Sequence, residues 1–105
     1  MNGRLLCVEA IAHRGGNDWP FIVRGQVAKA LVALVSGGDR GVSALEVAGW
    51  AYRLAAYCYE LRTRYGLAIR TEREEHPGGW HGRHVLETPV TIRFVADPEQ
   101  DAAAT

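Results

Sequence analysis

Between Val42 and Arg64 a helix-start signal, a short helix, a glycine-centred turn and a second helix follow one another without a gap. Ser43 and Glu46 stand in the S-x-x-E spacing in which the serine hydroxyl accepts from a first-turn amide while the glutamate reaches back to the serine amide. Val42 and Val47 occupy the positions that clamp the incoming chain against such a helix. The spacing predicts a short helix over 44–48, a turn at Gly49, and a second helix over 52–65 with Leu54, Cys58, Leu61 and Tyr65 inward. That layout is a helix-turn-helix, a unit that presents one helix to a partner.

The flanks set what the pair packs against. Leu5 to Ile11 is short and apolar and reads as a strand, followed by a loop from Arg14 to Pro20 with Trp19 and Phe21 turned back onto the core. Val27, Leu31, Leu34 and Val35 fall on one stripe of a helix over 24–36, which Gly37 and Gly38 end. After Gly66, Leu67, Ile69 and Thr71 alternate with Ala68, Arg70 and Glu72 at the period of a strand with one buried face. A glycine-rich connection is expected from Glu74 to Gly82. Beyond it, His84 to Glu87 and Pro89 to Val95 read as one strand interrupted at Pro89 or as two, with Val90, Ile92 and Phe94 inside. No internal repeat is visible.

Bulk properties narrow the class. At 105 residues and 48% hydrophobic content the chain suits one core and is too short for two. Twelve basic and twelve acidic residues cancel, but residues 1–95 carry all twelve basic groups and nine of the acids. The folded part therefore has a small positive excess, which permits nucleic-acid binding without demanding it. Cys7 and Cys58 are not spaced as a metal clip and read as buried small hydrophobes in a reducing cytoplasm. No apolar run is long enough for a transmembrane span or a signal peptide. The tail from Asp97 to Thr105 is acidic and poor in apolar groups, and is expected to be mobile outside a single domain over 1–96.

Helix, helix-turn-helix, strand, long turn and strand is the order of a winged helix. The chain from Arg24 to about Glu87 resembles the small winged-helix domains common in bacterial regulators and in short phage or prophage proteins, through GVSALEVAGWAYRLAAYCYELRTRYGLAIRTE and the hairpin after it. The resemblance implies an α+β fold: a three-helix helix-turn-helix core over 24–87, a C-terminal β-hairpin wing and an extra strand. It also implies double-stranded DNA as partner, in transcription regulation or as a phage-type accessory of replication or recombination.

On this reading the second helix enters the major groove. Arg53 is the base reader, since an arginine fork matches guanine O6 and N7, while Tyr52, Tyr57 and Arg64 meet sugar and phosphate. The wing from Ile69 to Val85 adds Arg70, Arg73 and Arg83, with Trp80, His81 and His84 available near its tip. Glu72, Glu74 and Glu75 oppose a phosphate contact there. They face away, pair with the arginines, or mark the wing as a protein-docking surface, and the last alternative is a winged helix that binds protein without DNA. A homodimer would suit a palindromic site, with Leu5 to Ile11 as a candidate edge.

His76, His81 and His84 with Glu74 and Glu75 are the one cluster that could suggest zinc, but their spacing across a glycine-rich turn matches no compact ligand pattern. The sequence contains no nucleophile with an adjacent base and no phosphate loop. Neither a metal, a cofactor nor an enzymatic activity is expected.

Overall fold

The fold is built from the glycines outward. Gly15 and Gly16 both adopt left-handed backbone, with φ of 53° and 88°, the conformation that a two-residue hairpin turn demands. Strand β1 (Cys7–Arg14) therefore folds straight back onto strand β2 (Asn17–Arg24), from Arg14 opposite Asn17 to Cys7 opposite Arg24. Gly25, φ 75°, turns the chain from β2 into helix α1 (Gly25–Gly37), and its N–H donates to the Leu6 carbonyl. A 3₁₀ turn (Gly38–Arg40), strand β3 (Val42–Ser43), helix α2 (Leu54–Tyr65), and strands β4 (Ile69–His76), β5 (Gly79–Leu86) and β6 (Val90–Ala96) complete the order. The computed structural model describes residues 6–43 and 53–96.

Two three-stranded antiparallel sheets result, one ordered β2-β1-β6 and the other β3-β5-β4. The first places Val8, Ala10 and Ala12 of β1 and Val23 of β2 on its inner face, all buried. Ala28, Ala30, Leu31 and Leu34 of α1 lie in the same core, where alanines on both sides permit close approach of helix and sheet. Helix α2 inserts Leu54, Cys58 and Leu61 beside them. Its ends are set by Arg53 and Gly66; Gly66 takes the left-handed conformation at φ 73° and returns its N–H to the Leu61 carbonyl.

The first sheet also grips the end of α2. Trp19 Nε1 donates to the Tyr65 carbonyl at 3.2 Å, and Phe21 packs on the Tyr65 ring with centroids 5.4 Å apart. Arg14 lies over Trp19 and donates to the Gly66 carbonyl at 3.2 Å, placing a cation at the negative end of the helix. Thr88, buried between the sheets, accepts from the Ala68 amide at 2.8 Å.

The structure departs from several expectations. The described residues hold two α-helices and six strands, so the three-helix core with a hairpin and one extra strand is not the architecture. The stretch read as a loop from Arg14 to Pro20 is a two-residue turn plus half a strand, because the glycine pair supplies both left-handed residues. Pro20 is tolerated there because β2 is an edge strand and Pro20 faces Ile11 at a pair whose amides point away from β1. The connection expected over 74–82 is likewise only Pro77 and Gly78, with Gly78 at φ 94° as a type II turn requires. Strands β5 and β6 belong to different sheets, so Pro89 marks a crossing between sheets. A bulge opposite Glu9 and Ala10 inserts Arg93 and turns Phe94 outward, against the inward face expected for it. The helix expected over 44–48, with Glu46, Val47, Gly49 and Tyr52, lies outside the described residues; Ser43 is buried at the end of β3.

Among the described residues no helix is long and apolar enough to cross a membrane. Leu61 is fully buried, so Leu61→Ala should lower the free energy of unfolding by about 2–5 kcal/mol in urea titrations. Burial pushes the Cys58 thiol up to about 11, against a smaller opposing pull from Arg62. A folded-state value above the unfolded one means this group favours the fold below the usual thiol range and ceases to as pH climbs toward the raised value. Iodoacetamide at pH 8 should leave Cys58 unmodified in folded protein and label it in urea, as read by mass spectrometry.

Candidate nucleic-acid interface

Burial of Leu54, Cys58 and Leu61 fixes the rotation of α2 and so decides which residues face solvent. Ala56, Tyr59 and Thr63 occupy the side opposite the core and all are exposed. Arg53 and Arg64 border that side on one flank, Ala55 and Arg62 on the other. Tyr59, 61% exposed, is overlain by Arg62 at 6.0 Å. Arg64 pairs with Glu60 at 3.1 Å across one helical turn, an exposed pair of small energetic weight. No ion pair engages Arg53 or Arg62 among the described residues. Three arginines against one glutamate make this the cationic side of the helix.

One candidate on this helix sits otherwise than expected: Tyr57 packs half-buried against the core, and it is Tyr59 that stands on the exposed face. The sequence signal for Tyr59 and Arg62 was available in the spacing to Leu54, Cys58 and Leu61, which puts Tyr59 on the opposite side. Tyr52 lies outside the described residues.

On the wing the glutamates answer the arginines one by one. Arg70 pairs with Glu72 at 2.8 Å and with Glu87 at 3.2 Å. Arg73 pairs with Glu75 at 2.9 Å and lies 4.6 Å above the Trp80 ring. Arg83 reaches Glu74 with Nε at 2.6 Å and Nη2 at 3.1 Å, a two-pronged contact; its side chain is only 17% exposed. His81 shares Glu74 at 2.8 Å and stacks on His76 with centroids 5.0 Å apart. Three arginines thus meet four carboxylates, so the wing arms carry no net positive charge to offer phosphate.

His84, expected near the tip, is instead buried at the centre of the second sheet, where Nδ1 lies 2.9 Å from the Thr71 hydroxyl. Burial, with the Arg62 charge as a lesser cause, holds its pKa below the ordinary histidine value. Glu74 is also held below its ordinary value, chiefly by the Arg83 hydrogen bond and then by His81, against some desolvation. The first sheet supplies a further constellation that the sequence does not announce. Asp18, His13 and Thr91 form a chain across its three strands, 3.1 Å from Asp18 to His13 Nδ1 and 2.9 Å from His13 Nε2 to Thr91. Register explains it: His13 faces Asp18 in one neighbouring strand, and the other neighbour, β6, brings Thr91 opposite Ile11.

Both depressed values act with the same sign: each group stabilises the fold above its unfolded pKa and loses that contribution as pH falls through its folded one. For His84 the loss begins as pH falls below the ordinary histidine value of 6.5, and for Glu74 below the ordinary carboxylate value of 4.5. Thermal melts should therefore show Glu74→Gln destabilised at pH 7 and converging on the parent protein well below pH 4.5. A gap between the two melting curves that stays constant down to the lowest pH would remove the charge-based account of the clamp.

No curated protein and no solved structure matched the chain. The family model described as a winged helix domain matches residues 20–96, from the second half of β2 to the end of β6. The match takes in α1, α2, the wing hairpin and the last strand together, so the chain belongs to the winged helix domain family.

Proposed function

We propose that the protein binds double-stranded DNA with helix α2 laid in the major groove, acting as a small regulator of the transcription or replication type. One observation carries this reading: the solvent side of α2 sets three arginines against one glutamate, while the arginines of the wing are matched by glutamates. Ala55 and Ala56 in its first turn leave room for the backbone to approach a groove, and Arg53 beside them is placed for the base edges. Arg62 and Arg64 on opposite flanks suit the two phosphate rows that border the groove, and Tyr59 suits the sugars between.

The wing has a different character on this reading. Its neutral arms and exposed Trp80 favour a protein or groove-edge contact over phosphate neutralisation, which is the specific support for a protein-docking alternative. The domain is proposed to work by binding rather than by catalysis, the Asp18–His13–Thr91 chain serving to tie three strands together.

Fluorescence anisotropy on random duplex should give a slope of log K against log salt near about −3, as expected when three to four phosphates are neutralised. Arg62→Ala should reduce that slope by about one. Arg53→Ala should cost about 1–3 kcal/mol at one base position of a selected site and little on random sequence. A flat salt response, or binding unchanged by Arg53→Ala and Arg62→Ala together, would transfer the function to a protein partner.

A further inference from the structure

The stripe of α2 opposite its buried residues is poor in groups that can hydrogen-bond outward. Ala56 and Thr63 stand farthest from the core, with Ala55 and Tyr59 beside them, and all four are exposed. The Thr63 hydroxyl donates back to the Tyr59 carbonyl at 2.9 Å, so its methyl group is what remains for solvent. Glu60 is engaged by Arg64, and the Tyr59 ring lies under Arg62 toward one flank. The helix holds no asparagine or glutamine, the side chains whose amides pair with adenine N6 and N7. Methyl groups therefore occupy the ground between the flanking arginines.

We infer that this stripe reads thymine: the site that α2 prefers sets the C5-methyl groups of T·A pairs against Ala56 and Thr63, next to a G·C pair taken by Arg53. The inference rests on the DNA reading above and names its sequence class. In the major groove thymine is the one unmodified base that carries a methyl group, and alanine and threonine methyls are its apolar partners. Burying methyl against methyl gains free energy in proportion to the area removed from water. Against a C·G pair the same stripe would strip water from the cytosine amino group and return no acceptor, which costs affinity. Spacing sets the extent of the tract. By helical rise Ala56 and Thr63 lie about 10 Å apart along the axis, the length of about three base-pair steps, so their contacts fall on separate pairs.

A duplex library with a random core, selected with the full chain, should enrich T·A pairs beside a G·C pair. The decisive probe is the enriched duplex resynthesised with deoxyuridine for thymidine, which removes the methyl groups and keeps every hydrogen-bonding atom. Fluorescence anisotropy should show binding weakened about fourfold for each methyl contacted, the factor expected from one buried methyl. Thr63→Ser keeps the bond to the Tyr59 carbonyl and loses the methyl, so it should narrow the difference between the two duplexes. Thr63→Val keeps the methyl and should preserve that difference. Neither substitution touches a phosphate contact, so the salt slope should be the parent's in both. Equal binding of the thymidine and deoxyuridine duplexes with the salt slope intact would overturn the inference and leave DNA binding standing. So would a difference that Thr63→Ser does not alter. Absence of salt-dependent binding to either duplex would remove the DNA reading and this inference together.

Discussion

The C-terminal end of α2 is the point on which the arrangement turns. A twelve-residue helix is marginal alone, and this one lacks a side-chain cap at its first described turn. Its hold on the protein comes from three buried side chains and from the hairpin that seizes its last carbonyls. Trp19 and Arg14 satisfy the Tyr65 and Gly66 carbonyls, two oxygens that a helix end otherwise leaves to solvent. Since both come from the first sheet, the rotation of α2 is referred to that sheet as well as to α1. What the helix shows to solvent is therefore decided by residues far away in sequence.

Charge is partitioned with the same economy. The second sheet keeps its arginines beside its own carboxylates, which suits a long hairpin that must avoid splaying through like-charge repulsion. Helix α2 has only Glu60 to set against Arg53, Arg62 and Arg64. A chain of zero formal charge can in this way hold a local positive face, because the neutralising glutamates are committed to the wing. The bulk count concealed that segregation.

Most of the helix boundaries and the inward residues of α2 were legible in the sequence, because apolar spacing and terminal glycines are local signals. Gly37–Gly38 and Gly66 end their helices as glycine position alone suggests, and Leu54, Cys58 and Leu61 follow directly from periodicity. The strands were harder. Gly15–Gly16 reads equally as a loop or as a tight turn, and only the pairing of Trp19 with Ala12 and of Val23 with Val8 decides between them. The destination of β6 was hidden for a similar reason: it pairs with β1, which begins more than eighty residues earlier in the chain. At the candidate interface, Arg53 was read from its place in the first turn of the helix expected over 52–65, and the structure sets it one residue ahead of α2. The burial of His84 and the pairing of Arg83 with Glu74 depend on cross-strand register, which no local pattern states.

The bulge at Arg93 shows how one inserted residue can divide the duties of a sheet. With unbroken alternation, Ile92 and Phe94 would both face α1, where Ala10, Ala12, Ala28 and Ala30 leave little volume for a phenylalanine ring. The bulge keeps Val90 and Ile92 inside and sends Phe94 to the opposite face beside Glu9. It accommodates the tight helix–sheet contact and creates the exposed apolar face in one step. Helix presentation and outer-face chemistry are thus joined through β1, the central strand that packs against α1 on one side and carries Glu9 on the other. Because β1 is paired along both sides from Cys7 onward, the edge expected at Leu5 to Ile11 is not open there to another chain.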